Sequence, residues 1–138
     1  MKINLARALI GIVLLWNVQC AVAFLLWPER FAPGFQLGGP AGEAMVQAMG
    51  VLFLMWNVPY AVALWNPIQY RVSLYEAVAM QAIGLAGEIL ILVSLPSGYG
   101  QAAQSVTRFV AFDAAGLLLL LAATWISRRL PGFNSHHL

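Results

Sequence analysis

Charged side chains are what this chain has least of: they make up 9% of 138 residues, against 62% hydrophobic ones, and the mean hydropathy is +0.80. Ordinary soluble domains carry about 25% charged residues. Too few polar groups are present to coat a soluble globule, so a membrane protein is expected. Histidine occurs only as His136 and His137 near the end of the chain, with no cysteine or acid at ligand spacing, which argues against a metal site and leaves no axial pair for a haem. Cys20 is the only cysteine, which excludes a disulfide within one chain; it lies inside an apolar run, where burial suppresses the reactive thiolate. Basic residues give a net charge of +2, but they are too dispersed to form a nucleic-acid patch. Serines 73, 94, 97, 105, 127 and 135 have no base-bearing partner of the triad kind.

What is present is four apolar runs of spanning length, at about 5–27, 44–65, 74–95 and 109–126, since a helix needs roughly 20 apolar residues to cross a bilayer. The expected fold is all-α: an integral membrane four-helix bundle, up-down-up-down, in one transmembrane domain over 1–138. The first run begins like a secretory signal, with Lys2 and Arg7 ahead of it, but it continues through Phe24, Leu25, Leu26 and Trp27, longer than a signal core. Residues 28–43 are rich in proline and glycine and read as a connecting loop whose Phe31, Phe35 and Leu37 dip into the membrane interface. Within the second run Pro59 predicts a kink, and the Asn57 amide beside it either satisfies a freed carbonyl or contacts a ligand. Gln101 to Thr107 reads as an interfacial helix ahead of the fourth span. With the N-terminus inside, Lys2, Arg7, Arg71, Arg128 and Arg129 lie on the cytoplasmic side and Arg30 and Arg108 outside, so both termini are expected in the cytoplasm of a bacterial-type inner membrane. Trp27, Trp65 and Trp125 mark span ends, and Glu76 is expected to pair with Arg7 or Arg71.

The third span carries Gln81 and, seven residues on, Glu88. Seven residues are close to two helical turns, so both side chains and Gly84 share one strip. Glu88 would lie roughly 5 Å from the bilayer midplane, and facing lipid it would cost at least about 2.5 kcal/mol. It is therefore expected to face other helices. A second pattern is internal: Trp16-Asn17-Val18-Gln19-Cys20-Ala21-Val22-Ala23 recurs as Trp56-Asn57-Val58-Pro59-Tyr60-Ala61-Val62-Ala63, with six of eight positions matching. In consecutive spans such a match suggests inverted repeats, a device of transporters. Trp16 and Trp56 fall near mid-span, where their indole N–H groups need acceptors among Asn17, Asn57, Gln81, Glu88 and Asp113. Asp113, Gly116, Leu120 and Thr124 form a strip on the fourth span.

These residues predict a polar layer inside the bundle, roofed by Arg30 and Arg108, with Arg108 as counter-ion of Glu88 and Asp113. Two readings compete. In one, the buried amides and acids are interhelical glue, each pair worth about 0.6–2 kcal/mol. In the other, two acids in a low-dielectric site form a cluster that binds a polar head group or passes protons.

Arg7 near the start of span one, the Trp27-Pro28 exit, the Leu37-Gly38-Gly39 loop, Gln47-Ala48-Met49-Gly50-Val51-Leu52-Phe53-Leu54, and an acid near the outer end of span three resemble the DoxX-like small four-helix bacterial membrane proteins, over Arg7 to Glu88. The resemblance implies the four-helix fold and, because some members are associated with quinone-linked redox complexes, an accessory membrane subunit; no family catalytic group is identifiable. The expectation is a non-enzymatic membrane protein that is an accessory subunit or binds a small amphipathic molecule, a quinone or a lipid, in the bilayer, within a larger complex or as a homo-oligomer. The alternative is a small oligomeric transporter or proton-coupled carrier using Glu88 and Asp113.

Overall fold

The computed structural model describes residues 2–129; His136 and His137 lie outside them. Within the described residues the chain is all helical: α1 (Lys2–Leu26), a single turn α2 (Pro28–Phe31) running into a 3-10 turn (Ala32–Phe35), then α3 (Gly39–Trp56), α4 (Val58–Trp65), α5 (Arg71–Ser94) and α6 (Gly100–Arg128). Counting α3 and α4 together, four helices are long and apolar enough to cross a membrane, the make-up of a multi-pass membrane protein. Their outward faces carry large apolar side chains such as Val93, Ile83 and Leu118, each more than two-thirds exposed. Such a surface needs hydrocarbon around it.

The break in the second span falls at Asn57, with Pro59 at the second position of α4, where its missing N–H leaves no helical bond unmade. The Asn57 Nδ2 donates to the Phe53 carbonyl at 2.6 Å, a carbonyl that also accepts from the Asn57 backbone N–H and is not the Met55 carbonyl that Pro59 would free. The consequence of the break is divergence. α4 packs on α5 and α1, whereas α3 packs on α1 and the 28–35 segment and has no extended contact with α5 or α6.

Two apolar cores hold the helices. The first joins Ala6, Ile10 and Val13 of α1, Tyr60 and Ala63 of α4, Leu74 and Ala77 of α5, and Leu120 and Ala123 of α6. At this end the Arg7 Nε donates to the Leu64 carbonyl in the last turn of α4 at 3.0 Å, satisfying a helix C-terminus with a cation. Arg7 and Arg71 make no ion pair with Glu76 among the described residues, contrary to the sequence expectation. The α4 to α5 turn is set by Asn66, whose Oδ1 accepts from the Ile68 and Gln69 N–H groups, both at 3.1 Å.

The second core is built on Phe24, Ala32 and Val46, with Phe31, Phe35, Phe53 and Phe109 against it. Phe31 and Phe35 thus pack onto Phe24, at centroid distances of 4.8 and 6.0 Å. The 28–38 segment is folded onto α6. Ser105 Oγ donates to the Gly34 carbonyl at 2.6 Å, the Gln36 Oε1 accepts from the Ala102 N–H, and the Gln36 Nε2 donates to the Gly98 carbonyl. These contacts cap the start of α6, which is why Gln101 to Thr107 is continuous with the fourth span and not a separate interfacial piece.

α1 and α3 meet closely at Gly50, where a Cβ would come within 2.9 Å of the Ala21 carbonyl oxygen and 3.0 Å of Leu25 Cγ. A backbone atom cannot swing aside, so Gly50→Ala is expected to destabilise the folded protein by about 1–3 kcal/mol. Gly87→Ala, where the added Cβ meets nothing within 4 Å, serves as the neutral control. Thermal unfolding of the two variants side by side in one detergent checks the difference.

Candidate functional site

Between the two cores lies a cavity of about 710 Å³. Its walls come from α1, α5 and α6 on one side and the α3–α4 break on the other, with the 28–35 segment above. All eight residues singled out from the sequence line it: Trp16, Asn17, Trp56, Asn57, Gln81, Glu88, Arg108 and Asp113. Gln81 and Glu88 converge because they lie on the one strip of α5 that faces neighbouring helices, the periodicity visible in the sequence.

The floor is a hydrogen-bonded chain. Tyr60 Oη donates to Gln81 Oε1 at 2.6 Å, and Gln81 Nε2 donates to Asp113 Oδ1 at 3.0 Å, tying α4, α5 and α6 together at one level. Two glycines make room for it. A Cβ on Gly84 would lie 2.7 Å from Asp113 Oδ2, and one on Gly116 would lie 2.8 Å from Gln81 Nε2. Gln81 is buried and fully engaged, and one of Asp113's oxygens is held by its amide.

Glu88, two turns further along α5, is different. It makes no hydrogen bond or ion pair with any described residue, and its Oε2 is buried without a partner. Asn57 Oδ1 is likewise buried and unpartnered, although its Nδ2 is engaged. The two acids expected to behave as a pair are thus unlike: Asp113 belongs to the structural chain and Glu88 stands outside it. Arg108 shares the cavity wall but is exposed and forms no ion pair with either acid among the described residues, so the counter-ion role expected of it is not made. Arg30, also on the wall, lies 5.7 Å from the Trp27 ring centroid and has Glu29 as its nearest acid, at 3.9 Å.

Neither mid-span indole finds the acceptor expected for it among the described residues. Trp16 and Trp56 are 41% and 45% exposed, so neither ring is enclosed in the bundle. Trp16 packs edge-on to Phe112 at 6.0 Å and Trp56 tilts against Phe53 at 6.2 Å. The roof is the aromatic cluster, with Phe24, Phe35, Phe53 and Phe109 in mutual contact at centroid distances near 6 Å.

Tyr60 is the principal residue that the sequence reading missed. The signal was present: it stands three residues after Asn57, on the same helical face, and a phenol at mid-span requires a partner. The aromatic roof had a weaker signal, since its rings come from four separate segments. No group of three or more potential metal ligands is found among the described residues. No protein-family model matches the chain, and no curated protein or solved structure matches it either.

Proposed function

We propose that this chain is a non-enzymatic membrane protein that binds a small amphipathic molecule, a quinone or a lipid, inside its helical bundle, and serves as an accessory subunit presenting or holding that molecule. The observation that carries the reading is Glu88: a carboxyl group without a protein partner, in the wall of a cavity of the volume that ligand sites have, about 300–1,000 Å³. Aromatic and aliphatic side chains form about half of the lining, with polar groups such as Asn57, Gln81, Glu88 and Asp113 converging among them, a make-up that suits an apolar ligand with a polar head. Structural glue accounts for Tyr60, Gln81 and Asp113, which satisfy one another; it does not account for Glu88.

The proposal includes the topology: four spans up-down-up-down, both termini cytoplasmic, in a bacterial-type inner membrane, on the five-to-two excess of Lys and Arg. It also includes kinship with the DoxX-like group, on the motifs between Arg7 and Glu88. A second reading, a small oligomeric or proton-coupled carrier, has one observation in its favour. The matching pairs Trp16-Asn17 and Trp56-Asn57 face the same cavity from α1 and from the α3–α4 break, as the halves of an inverted repeat would around a central site.

Glu88→Gln separates the two, because it keeps the size and hydrogen bonding of the side chain and removes its proton chemistry. A binder is expected to keep its fold and lose no proton-dependent flux, having none. If the purified wild type in liposomes shows such a flux and Glu88→Gln abolishes it while folding and ligand binding are unchanged, the binder reading is overturned in favour of the carrier.

A further inference from the structure

Resting on the binding reading, we infer that the molecule taken up is a neutral amphiphile whose head carries a hydroxyl group, which it places on Glu88, with its tail leaving the bundle between α3 and α5. Three observations lead there. The first is the unmet hydrogen-bonding capacity of the wall. Asn57 Oδ1 can only accept, and the Glu88 carboxyl has no partner among the described residues. A hydroxyl donates to an amide oxygen or a carboxylate and can also accept from a carboxylic acid, so it satisfies Glu88 in either protonation state. An ether or an ester cannot donate, and so leaves an ionised Glu88 without a partner.

The second observation is charge. The ionisable groups facing the cavity with formal charge are Glu88 and Asp113, and Arg30 and Arg108, which sum to zero. With no net charge in the wall, nothing offsets the cost of taking a charged head out of water, which is far larger than the cost for a neutral hydroxyl. The third is the way in. α4 packs on α5 whereas α3 makes no extended contact with it, and both α3 and α5 border the cavity, through Phe53 and Trp56 on one side and Met80, Gly84 and Glu88 on the other, so the tail is placed between them. Those sides are apolar apart from Glu88. A route between two helices of spanning length suits an alkyl tail and not a water-borne solute.

The test uses a matched pair of probes, 4-nonylphenol and its methyl ether 4-nonylanisole, which share a ring and tail and differ in one donor. Both are titrated calorimetrically into the detergent-solubilised full-length protein, with concentrations referred to the mole fraction in the micelle. The phenol is expected to bind about tenfold tighter than the ether, the effect of one good hydrogen bond. In Glu88→Leu the two are expected to converge to within about twofold, and in Glu88→Gln, which retains an acceptor, the preference is expected to persist in part. Should Glu88→Leu fail to fold, the wild-type pair and Glu88→Gln decide the matter by themselves. Equal binding of phenol and ether by the wild type would overturn the hydroxyl inference while leaving the binding reading standing. Tighter binding of dodecyltrimethylammonium than of the phenol would overturn the neutral head. Binding of none of the three would bring down both the inference and the reading it rests on.

Discussion

Replacing Gln81 by leucine is expected to cost the folded protein about 2–4 kcal/mol, the largest loss anticipated for a single polar side chain in this molecule. Leucine preserves most of the volume and adds no charge, so the loss isolates the hydrogen bonds. Two partners are stranded at once. Tyr60 Oη loses its acceptor at 2.6 Å in a residue only 3% exposed, and Asp113 Oδ1 loses its donor at 3.0 Å. Leaving a buried polar group unsatisfied costs about 1–3 kcal/mol apiece, which exceeds the apolar gain of the leucine. Tyr60→Phe, which removes only one end of the chain, is the milder comparison, expected at about 1 kcal/mol. Unfolding of the three proteins in mixed micelles, followed by circular dichroism, checks the order Gln81→Leu below Tyr60→Phe below wild type.

Glu88→Leu is expected to change stability in the opposite direction. The ligand-free protein should gain about 1–3 kcal/mol, the cost of a buried polar group without a partner, since the Glu88 Oε2 is buried and unpartnered. The same substitution is expected to remove the preference for a hydroxyl-headed ligand. A side chain that lowers the stability of the empty protein while equipping it to bind is the usual signature of a functional position. The contrast between residues 81 and 88, two turns apart on one strip of α5, is what separates glue from site. If Glu88→Leu destabilised the protein as Gln81→Leu does, Glu88 would belong to the structural chain after all. The measurement is the same unfolding experiment, run after delipidation so that no bound molecule masks the difference.

The architecture was largely legible in the sequence, because hydrocarbon imposes so few options. Four apolar runs of spanning length can only be helices, and the Asn57 and Pro59 pair marks the break in the second one where α3 ends and α4 begins. The inward strip of the third span was legible for the same reason, as Gln81, Gly84 and Glu88 repeat at helical spacing. The start of the last helix was not, since Gln101 to Thr107 is polar enough to lie at an interface. What makes it continuous with the span is tertiary: Gln36 and Gly34, more than sixty residues earlier, supply its caps and contacts.

Pairing was the least legible level. Counting charges directs Glu88 and Asp113 to Arg108, the only cation near them in sequence and depth, yet the long arginine side chain remains exposed and the neutral amide of Gln81 takes Asp113 instead. Gly84 and Gly116 explain the choice. Without side chains of their own they let Gln81 and Asp113 approach across the α5 and α6 contact, which the spacing of small residues hinted at but could not assign. The packing of Phe31 and Phe35 onto Phe24 is likewise tertiary, and no spacing in the 28–43 stretch assigns it.

The claim at the centre is that the cavity beside Glu88 holds an amphiphile taken from the membrane. Native mass spectrometry of the protein released gently from its membrane puts that claim to its most direct test. Wild type is expected to carry one tightly held small amphiphile per chain, and Glu88→Leu, of equal or greater stability, to carry it at an occupancy lowered by the loss of about tenfold in affinity. A wild-type protein that emerges bare under conditions that preserve its fold, or an adduct retained undiminished by Glu88→Leu, would contradict it.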